Sequence, residues 1–191
     1  MEKKMRKAII FSGPSGSGKT TIAKHLLKKN ENVGFSVSAC TRPRRPHEIH
    51  GKDYYFLSMH EFKLKIAQGA FIEWEEVYAG SYYGTFKTEI VNIWAAGQLV
   101  LFDIDVQGGL KLKSYFQENA LAVYVEAPSL QILKERLEKR ATEPEQNIIL
   151  RTNKVAQEAS LASKFDVILI NETLQKSLAE AQALLDKFLQ D

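Results

Sequence analysis

The sequence predicts an α/β fold: a mostly parallel sheet with helices on both faces, interrupted by a smaller mixed insert. Three observations predict it. Short apolar runs alternate with helix-period stretches along most of the 191 residues, as in chains of βαβ units. The first apolar run, Ala8–Ser12, passes straight into a glycine-rich turn and then into a helical pattern. From about Ser38 to Thr85 the rhythm breaks into short strands with little helix between them.

In order, Ala8–Ser12 reads as a buried strand and Lys19–Lys29 as a helix, with Ile22, Ala23, Leu26 and Leu27 on one stripe. Phe35–Thr41 alternates apolar residues with Ser and reads as one strand. Arg42–Lys52 is polar, with Pro43, Pro46 and Gly51, and reads as a loop; Tyr54–Leu57 is a short strand. Ser58 and Glu61 have the form of a capping box, predicting a helix from about Met59 to Gln68 that stops at Gly69. Phe71–Tyr78 is a strand and Thr88–Ala96 a helix ending at Gly97. Leu99–Ile104, continuously apolar but for Asp103, has the character of a central parallel strand. Leu121–Val125 is a strand. Pro128 and Ser129 open a helix to about Arg140, Ala141–Gln146 is polar, and a further helix covers Asn147–Lys164. Val167–Ile170 is the last strand and Leu174–Leu189 the last helix.

Composition sets the class. Apolar residues are 45% and charged residues 26%, which excludes a disordered chain, a collagen and a disulfide scaffold. The length fits one domain or one core with insertions. Cys40 is the only cysteine, so no intrachain disulfide forms and a reducing compartment is expected. The 26 basic and 23 acidic residues leave a net charge of +3, too little to point to nucleic acid. The apolar run after the basic N-terminus is too short for a secretory signal or a membrane span. A cytoplasmic protein without nucleic-acid or membrane partners is expected. The polar surface leaves a monomer or a small homo-oligomer open.

Gly13-Pro14-Ser15-Gly16-Ser17-Gly18-Lys19-Thr20, followed by Thr21, fits G-x-x-x-x-G-K-[ST] between a strand and a helix. Glycines let backbone N–H groups converge on phosphate oxygens. The helix N-terminus adds its positive end. In such loops the lysine reaches the β- and γ-phosphates and the hydroxyl holds Mg²⁺. The motif predicts nucleoside triphosphate binding and leaves the fate of the phosphate open.

Ser36-Val37-Ser38-Ala39-Cys40-Thr41-Arg42-Pro43-Arg44-Arg45 is followed by Glu48, Gly51 and Asp53-Tyr54-Tyr55-Phe56. Later come Phe71-Ile72-Glu73-Trp74, Tyr82-Tyr83-Gly84-Thr85 and Asp103-Ile104-Asp105-Val106-Gln107-Gly108. This ordered set resembles guanylate kinase over essentially the whole chain. The resemblance implies transfer of the ATP γ-phosphoryl to GMP, and to dGMP, giving ADP and GDP. It implies Mg²⁺ as cofactor, ATP as co-substrate and a role in GMP recycling. It implies a P-loop core (1–37, 86–137, 152–191), a GMP-binding insert (38–85) and a short helical lid (138–151).

The resemblance assigns Gly13 to Thr21 to ATP. It assigns Ser38, Arg42, Arg45, Tyr54, Glu73, Tyr83, Thr85 and Asp105 to GMP. Arginine forks suit a phosphate dianion. A carboxylate such as Glu73 can accept from the ring N–H and amino group of guanine, and adenine would leave it unpaired. Strand alternation puts Asp103 and Asp105 on one side at the carboxyl end of their strand, where both could instead cap the following helix. Asp103 is expected to serve Mg²⁺ with Thr20, partly through water. Lys19, Arg136, Arg140 and Arg151 are expected to stabilise charge on the moving phosphoryl group. Spacing alone would leave these arginines on the surface, paired with Glu135, Glu138 or Glu158.

His25, His47, His50 and His60 show no metal-ligand spacing. His47 and Ala141 stand where the family usually has glycine, a departure that touches loop and lid motion rather than a ligand. A phosphate-loop kinase of another acceptor and a non-catalytic binding module remain as alternatives. The acceptor-side set speaks against the first and the intact phosphate loop against the second.

Overall fold

The computed structural model describes residues 7–139 and 154–190. The chain runs β1 (Ala8–Ser12), α1 (Lys19–Lys29), β2 (Val33–Phe35), β3 (Ser38–Cys40), β4 (Tyr55–Phe56), α2 (Met59–Ala67), β5 (Phe71–Tyr78), β6 (Ser81–Phe86) and α3 (Lys87–Ala95). It continues through β7 (Leu99–Asp103), α4 (Val106–Phe116), β8 (Ala120–Glu126) and α5 (Leu130–Lys139). Residues 154–159 are helical (α6), and β9 (Val167–Ile170) and α7 (Leu174–Gln190) follow.

Five strands form a parallel sheet in the order β2-β7-β1-β8-β9. All five residues of β1 are buried, which is why the strand reads as a continuous apolar run. Alternate side chains serve opposite faces. Ile9 and Phe11 pack with Ile22 and Leu26 of α1 and Ala181 and Leu185 of α7. Ala8 and Ile10 pack with Ile90 of α3 and with Leu112 and Phe116 of α4. The helices therefore cover both faces, as the sequence predicts.

A second sheet has the order β4-β3-β6-β5, with β3–β4 parallel and β3–β6 and β5–β6 antiparallel. Its own small core joins Ala39, Phe62 and Phe71, with the Phe62 and Phe71 rings stacked at 4.6 Å. The capping box at α2 is complete: the Ser58 hydroxyl accepts from the Glu61 N–H, and the Glu61 carboxylate accepts from the Ser58 N–H.

Three expectations need correction. Phe35–Thr41 is not one strand. β2 ends at Phe35 in the first sheet and β3 starts at Ser38 in the second. The crossing occurs at Ser36, whose N–H still reaches Leu101 O, and Val37, whose N–H goes to the Glu89 carboxylate. Apolar alternation continued through the crossing and hid it.

The chain also leaves β7 after Asp103, so Asp105 does not share a strand face with it. Asp105 is the N-cap of α4. The sequence pattern sets no bounds for helix α4, expected only as the helix that Asp103 and Asp105 could cap, and it predicts no strand at β6. Gly108 and Gly109 in the first turns of α4 lower its intrinsic helix propensity. Packing requires at least one of them, because a Cβ on Gly109 would lie 2.6 Å from Ser12 Oγ. Finally, the helix expected over Asn147–Lys164 ends early: among described residues it covers 154–159, and Ala162–Lys164 is a separate 3₁₀ turn.

Candidate active site

The phosphate loop joins the end of β1 to the start of α1. Gly13 and Gly18 have φ of +139° and +103°, values that other residues rarely adopt. Space excludes a side chain at both: a Cβ would lie 2.3 Å from Val125 O at Gly13 and 2.1 Å from Asn171 Nδ2 at Gly18. Among the described residues no side chain caps α1, and no acidic residue occupies its first turn, so the positive end of the helix faces the loop without a carboxylate to offset it. Lys19 Nζ folds back over the loop and donates to Gly13 O at 2.7 Å and Pro14 O at 2.9 Å. Thr20 Oγ1 donates to Asp103 Oδ2 at 2.5 Å. That contact follows from the parallel pairing of β1 and β7, which puts Asp103 opposite Phe11.

The loop is held from behind. Asn171, just past β9, donates from Nδ2 to Ser17 O at 2.7 Å. Arg136 of α5 donates to Ser17 O at 3.4 Å and to Asn171 O at 3.2 Å. The structure thus brings Arg136 to the backbone of the phosphate loop. Arg140 and Arg151, with the 140–151 part of the expected lid, lie outside the described residues.

One cavity runs from the phosphate loop to the second sheet. Gly13, Ser15, Gly16, Gly18, Lys19 and Thr20 line one end; Asp103, Ile104 and Asp105 line the floor. Ser38, Arg42, Arg45, Tyr54, Glu73 and Tyr83 line the other end. Pro14 and Ser17 serve the loop through their backbones, and Thr21 is exposed on α1.

At that far end, Arg42 donates to both oxygens of Glu48, at 2.7 and 2.6 Å, and Arg45 N–H donates to the same carboxylate at 2.9 Å. The Arg42 guanidinium lies over the Tyr54 ring at 4.8 Å, and the Tyr54 and Tyr83 rings meet edge-on at 6.1 Å. Burial works against charge on Glu48, but the Arg42 and Arg45 bonds outweigh it and hold its carboxyl below the usual range. Burial pushes the Tyr54 hydroxyl up, so it stays a donor.

Glu73 of β5 and Thr85 of β6 are register partners. Both are buried, and Thr85 Oγ1 donates to Glu73 Oε1 at 2.6 Å. Thr85 stands behind Glu73 rather than on the cavity wall. Burial raises the Glu73 carboxyl to about 7, against the Thr85 hydrogen bond and with help from nearby Asp105. Asp105 Oδ1 accepts the capping bonds of Gln107 N–H (2.9 Å) and Gly108 N–H (3.2 Å), so the helix-cap role holds for this aspartate while it also faces the cavity.

Two residues gain a place that sequence reasoning did not give them. Glu48, part of the resemblance but without a role in it, ties two arginines together; its signal is its spacing from both. Glu158, expected as a surface partner, is buried on the cavity wall with Lys154 Nζ at 3.4 Å. Burial raises its carboxyl. The signal was the helical stripe Val155, Glu158, Ala162. Cys40, also buried, has its thiol pushed up by burial to about 11 and is no nucleophile.

The donor set on Thr20 and Asp103 consists of hard oxygens, as Mg²⁺ prefers. Among described residues no group of three or more His, Cys, Asp or Glu could hold a metal. No described helix is long and apolar enough to cross a membrane.

Comparison with known proteins agrees with this arrangement. A guanylate kinase from Bacteroides fragilis is 45% identical over 183 residues, 96% of this chain and 90% of that one. A guanylate kinase from Thermotoga maritima is 42% identical, covering 88% of this chain and 81% of the other. The crystal structure of guanylate kinase from Anaplasma phagocytophilum superposes with a TM-score of 0.79 at 29% identity, over 98% of this chain and 88% of that one. The family model described as guanylate kinase matches residues 5–188. With the phosphate loop at one end of the cavity and the arginine–tyrosine and Glu73–Thr85 groups at the other, the chain belongs to the guanylate kinase family.

Proposed function

We propose that the cavity transfers the ATP γ-phosphoryl group to the phosphate of GMP, and of dGMP, releasing ADP and GDP. The observation that carries this is the joining, in one cavity, of a phosphate loop, a paired-arginine site and a buried carboxylate opposite a hydroxyl. ATP phosphates lie on the loop from Gly13 to Thr20, against the N-terminus of α1, with Lys19 turning from its carbonyl partners to the β- and γ-phosphates. The GMP phosphate meets Arg42, Arg45, Tyr54 and Tyr83. Its base meets Glu73, which accepts from the ring N–H and amino group while Thr85 fixes the carboxylate, with Ser38 and Asp105 beside it.

A GMP phosphate oxygen then attacks the γ-phosphorus in line as the bond to the ADP oxygen breaks. Positioning and charge stabilisation do most of the work in such transfers. Arg140 and Arg151, with Arg136 turning from its carbonyl partners, are the cations proposed to gather over the moving group, and closure of the 138–151 segment would keep water out. Thr20 and Asp103 are the residues that would hold Mg²⁺, directly or through water. Bound there, the ion would neutralise phosphate charge. A cytoplasmic location fits this substrate pair.

The test is a coupled ADP-release assay across GMP, dGMP, AMP, UMP and CMP. Turnover with GMP and dGMP and little with the others is expected. Turnover of AMP or UMP equal to that of GMP refutes the reading.

A further inference from the structure

We propose that Glu48 is a positioning residue for the acceptor phosphate, leaving Arg42 a single edge on which to receive it. The inference rests on the reading of Arg42 and Arg45 as the phosphate site and deepens it.

A guanidinium carries five N–H groups. Glu48 takes one from each Nη nitrogen, at 2.7 and 2.6 Å, and Pro43 O takes a further Nη1 donor at 3.0 Å. Among the described residues, the Nε–H and one Nη2–H are left over. These two project from the same edge of the plane and form a side-on fork. The Tyr54 ring covers one face of the guanidinium at 4.8 Å and Phe56 lies at 5.5 Å. With its end occupied and a face covered, Arg42 offers one bidentate edge, matched to two oxygens of a phosphate.

Glu48 can enforce this because it is itself fixed. It is 7% exposed. It also accepts from Arg45 N–H at 2.9 Å and faces the Arg45 guanidinium at 3.6 Å. One carboxylate therefore sets the orientation of Arg42 and the backbone of Arg45. Arg42 and Arg45 would spend conformational freedom on binding if unrestrained. Glu48 removes that freedom in advance, at the cost of one negative charge beside an anion site.

Two effects of opposite sign follow, and their sign is the test. If Glu48 only lowered the local charge, E48Q would raise it by one and tighten anion binding. If it positions the arginines, E48Q loosens binding despite the added positive charge. The experiment titrates the full chain, wild type, E48Q and E48D, with GMP, guanosine and ATP, using circular dichroism to check folding. For E48Q we expect GMP affinity to fall by ~10–100-fold, the scale of hydrogen bonds to charged groups, with guanosine and ATP affinities unchanged. E48D keeps the charge but shortens the reach, and it should also weaken GMP.

GMP binding that is unchanged or tighter in E48Q overturns the proposal. So does a parallel fall in guanosine affinity, in either variant, which would mark a general structural role. The underlying reading fails separately: wild-type protein that binds guanosine as tightly as GMP has no phosphate site at these arginines.

Discussion

Replacing Glu73 by Gln should do two things at once: stabilise the fold and remove a proton-linked component of GMP binding. The Glu73 carboxyl is held at about 7, against an ordinary 4.5, chiefly by burial. To accept from the guanine ring N–H and amino group it must be ionised. About a tenth of the molecules carry the carboxylate at pH 6, about half at pH 7 and about nine-tenths at pH 8. Through this group alone, the apparent GMP dissociation constant should be about 10-fold weaker at pH 6 than at pH 8, with about half a proton released per GMP bound at pH 7.

GMP's own phosphate titrates near pH ~6, so the difference between wild type and E73Q isolates Glu73. Calorimetric titration in buffers of different ionisation enthalpy counts the protons directly. For stability the sign is the reverse of the usual carboxylate. The folded protein binds more protons than the unfolded chain between pH 4.5 and 7, so stability falls as pH rises through that window and levels off above it. The full shift corresponds to an upper bound of ~3 kcal/mol at pH 8. E73Q melts should therefore gain on wild type from pH 4.5 to 8, while GMP-over-AMP preference falls. Equal proton release by both proteins, or a stability difference flat across this range, refutes the reasoning.

Three further outcomes are expected. K19M should lose ADP release while keeping its circular dichroism spectrum and melting cooperatively; near-normal turnover would remove Lys19 from the phosphate site. G18A meets both a φ of +103° and a Cβ 2.1 Å from Asn171 Nδ2, so it should lower stability by ~1–3 kcal/mol and weaken ATP binding, read by chemical denaturation and titration. D103N keeps the shape beside Thr20 but removes the charge. It should raise the Mg²⁺ concentration needed for half-maximal turnover by ~10-fold or more, and an unchanged Mg²⁺ dependence would place the ion elsewhere.

Much of this architecture was legible because local signals agreed with global ones. The strand Ala8–Ser12, the glycine loop and the helix Lys19–Lys29 fall where periodicity and motif put them, since a fully buried central strand and an uncapped helix need little context. The capping box at Ser58 was legible for the same reason. The bounds of helix α4 were not, because Gly108 and Gly109 lower helix propensity, and the close approaches of Gly108 to Ile104 and of Gly109 to Ser12 exist only in the folded protein. The split of Phe35–Thr41 was invisible because two strands in different sheets can share one alternation. At the site, residue types and order pointed to the cavity-lining set, and the spacing of Glu48 from Arg42 and Arg45 was itself a signal. Spacing could not reveal that Thr85 stands behind Glu73 or that Asn171 backs Ser17, because those facts depend on distances between elements that the linear order does not encode.

The backing of the phosphate loop bears on how this protein forms. The motif occupies eight consecutive residues near the N-terminus, yet its shape depends on Arg136 and Asn171, which are 119 and 154 positions away from Ser17. Closing loops of that length costs chain entropy that must be met before the contact rewards it. A nascent chain therefore displays the nucleotide-binding sequence long before it has the nucleotide-binding shape. The last strand must dock before Ser17 O finds its amide partner. ATP, by binding only the completed loop, selects for chains whose C-terminal third has already folded.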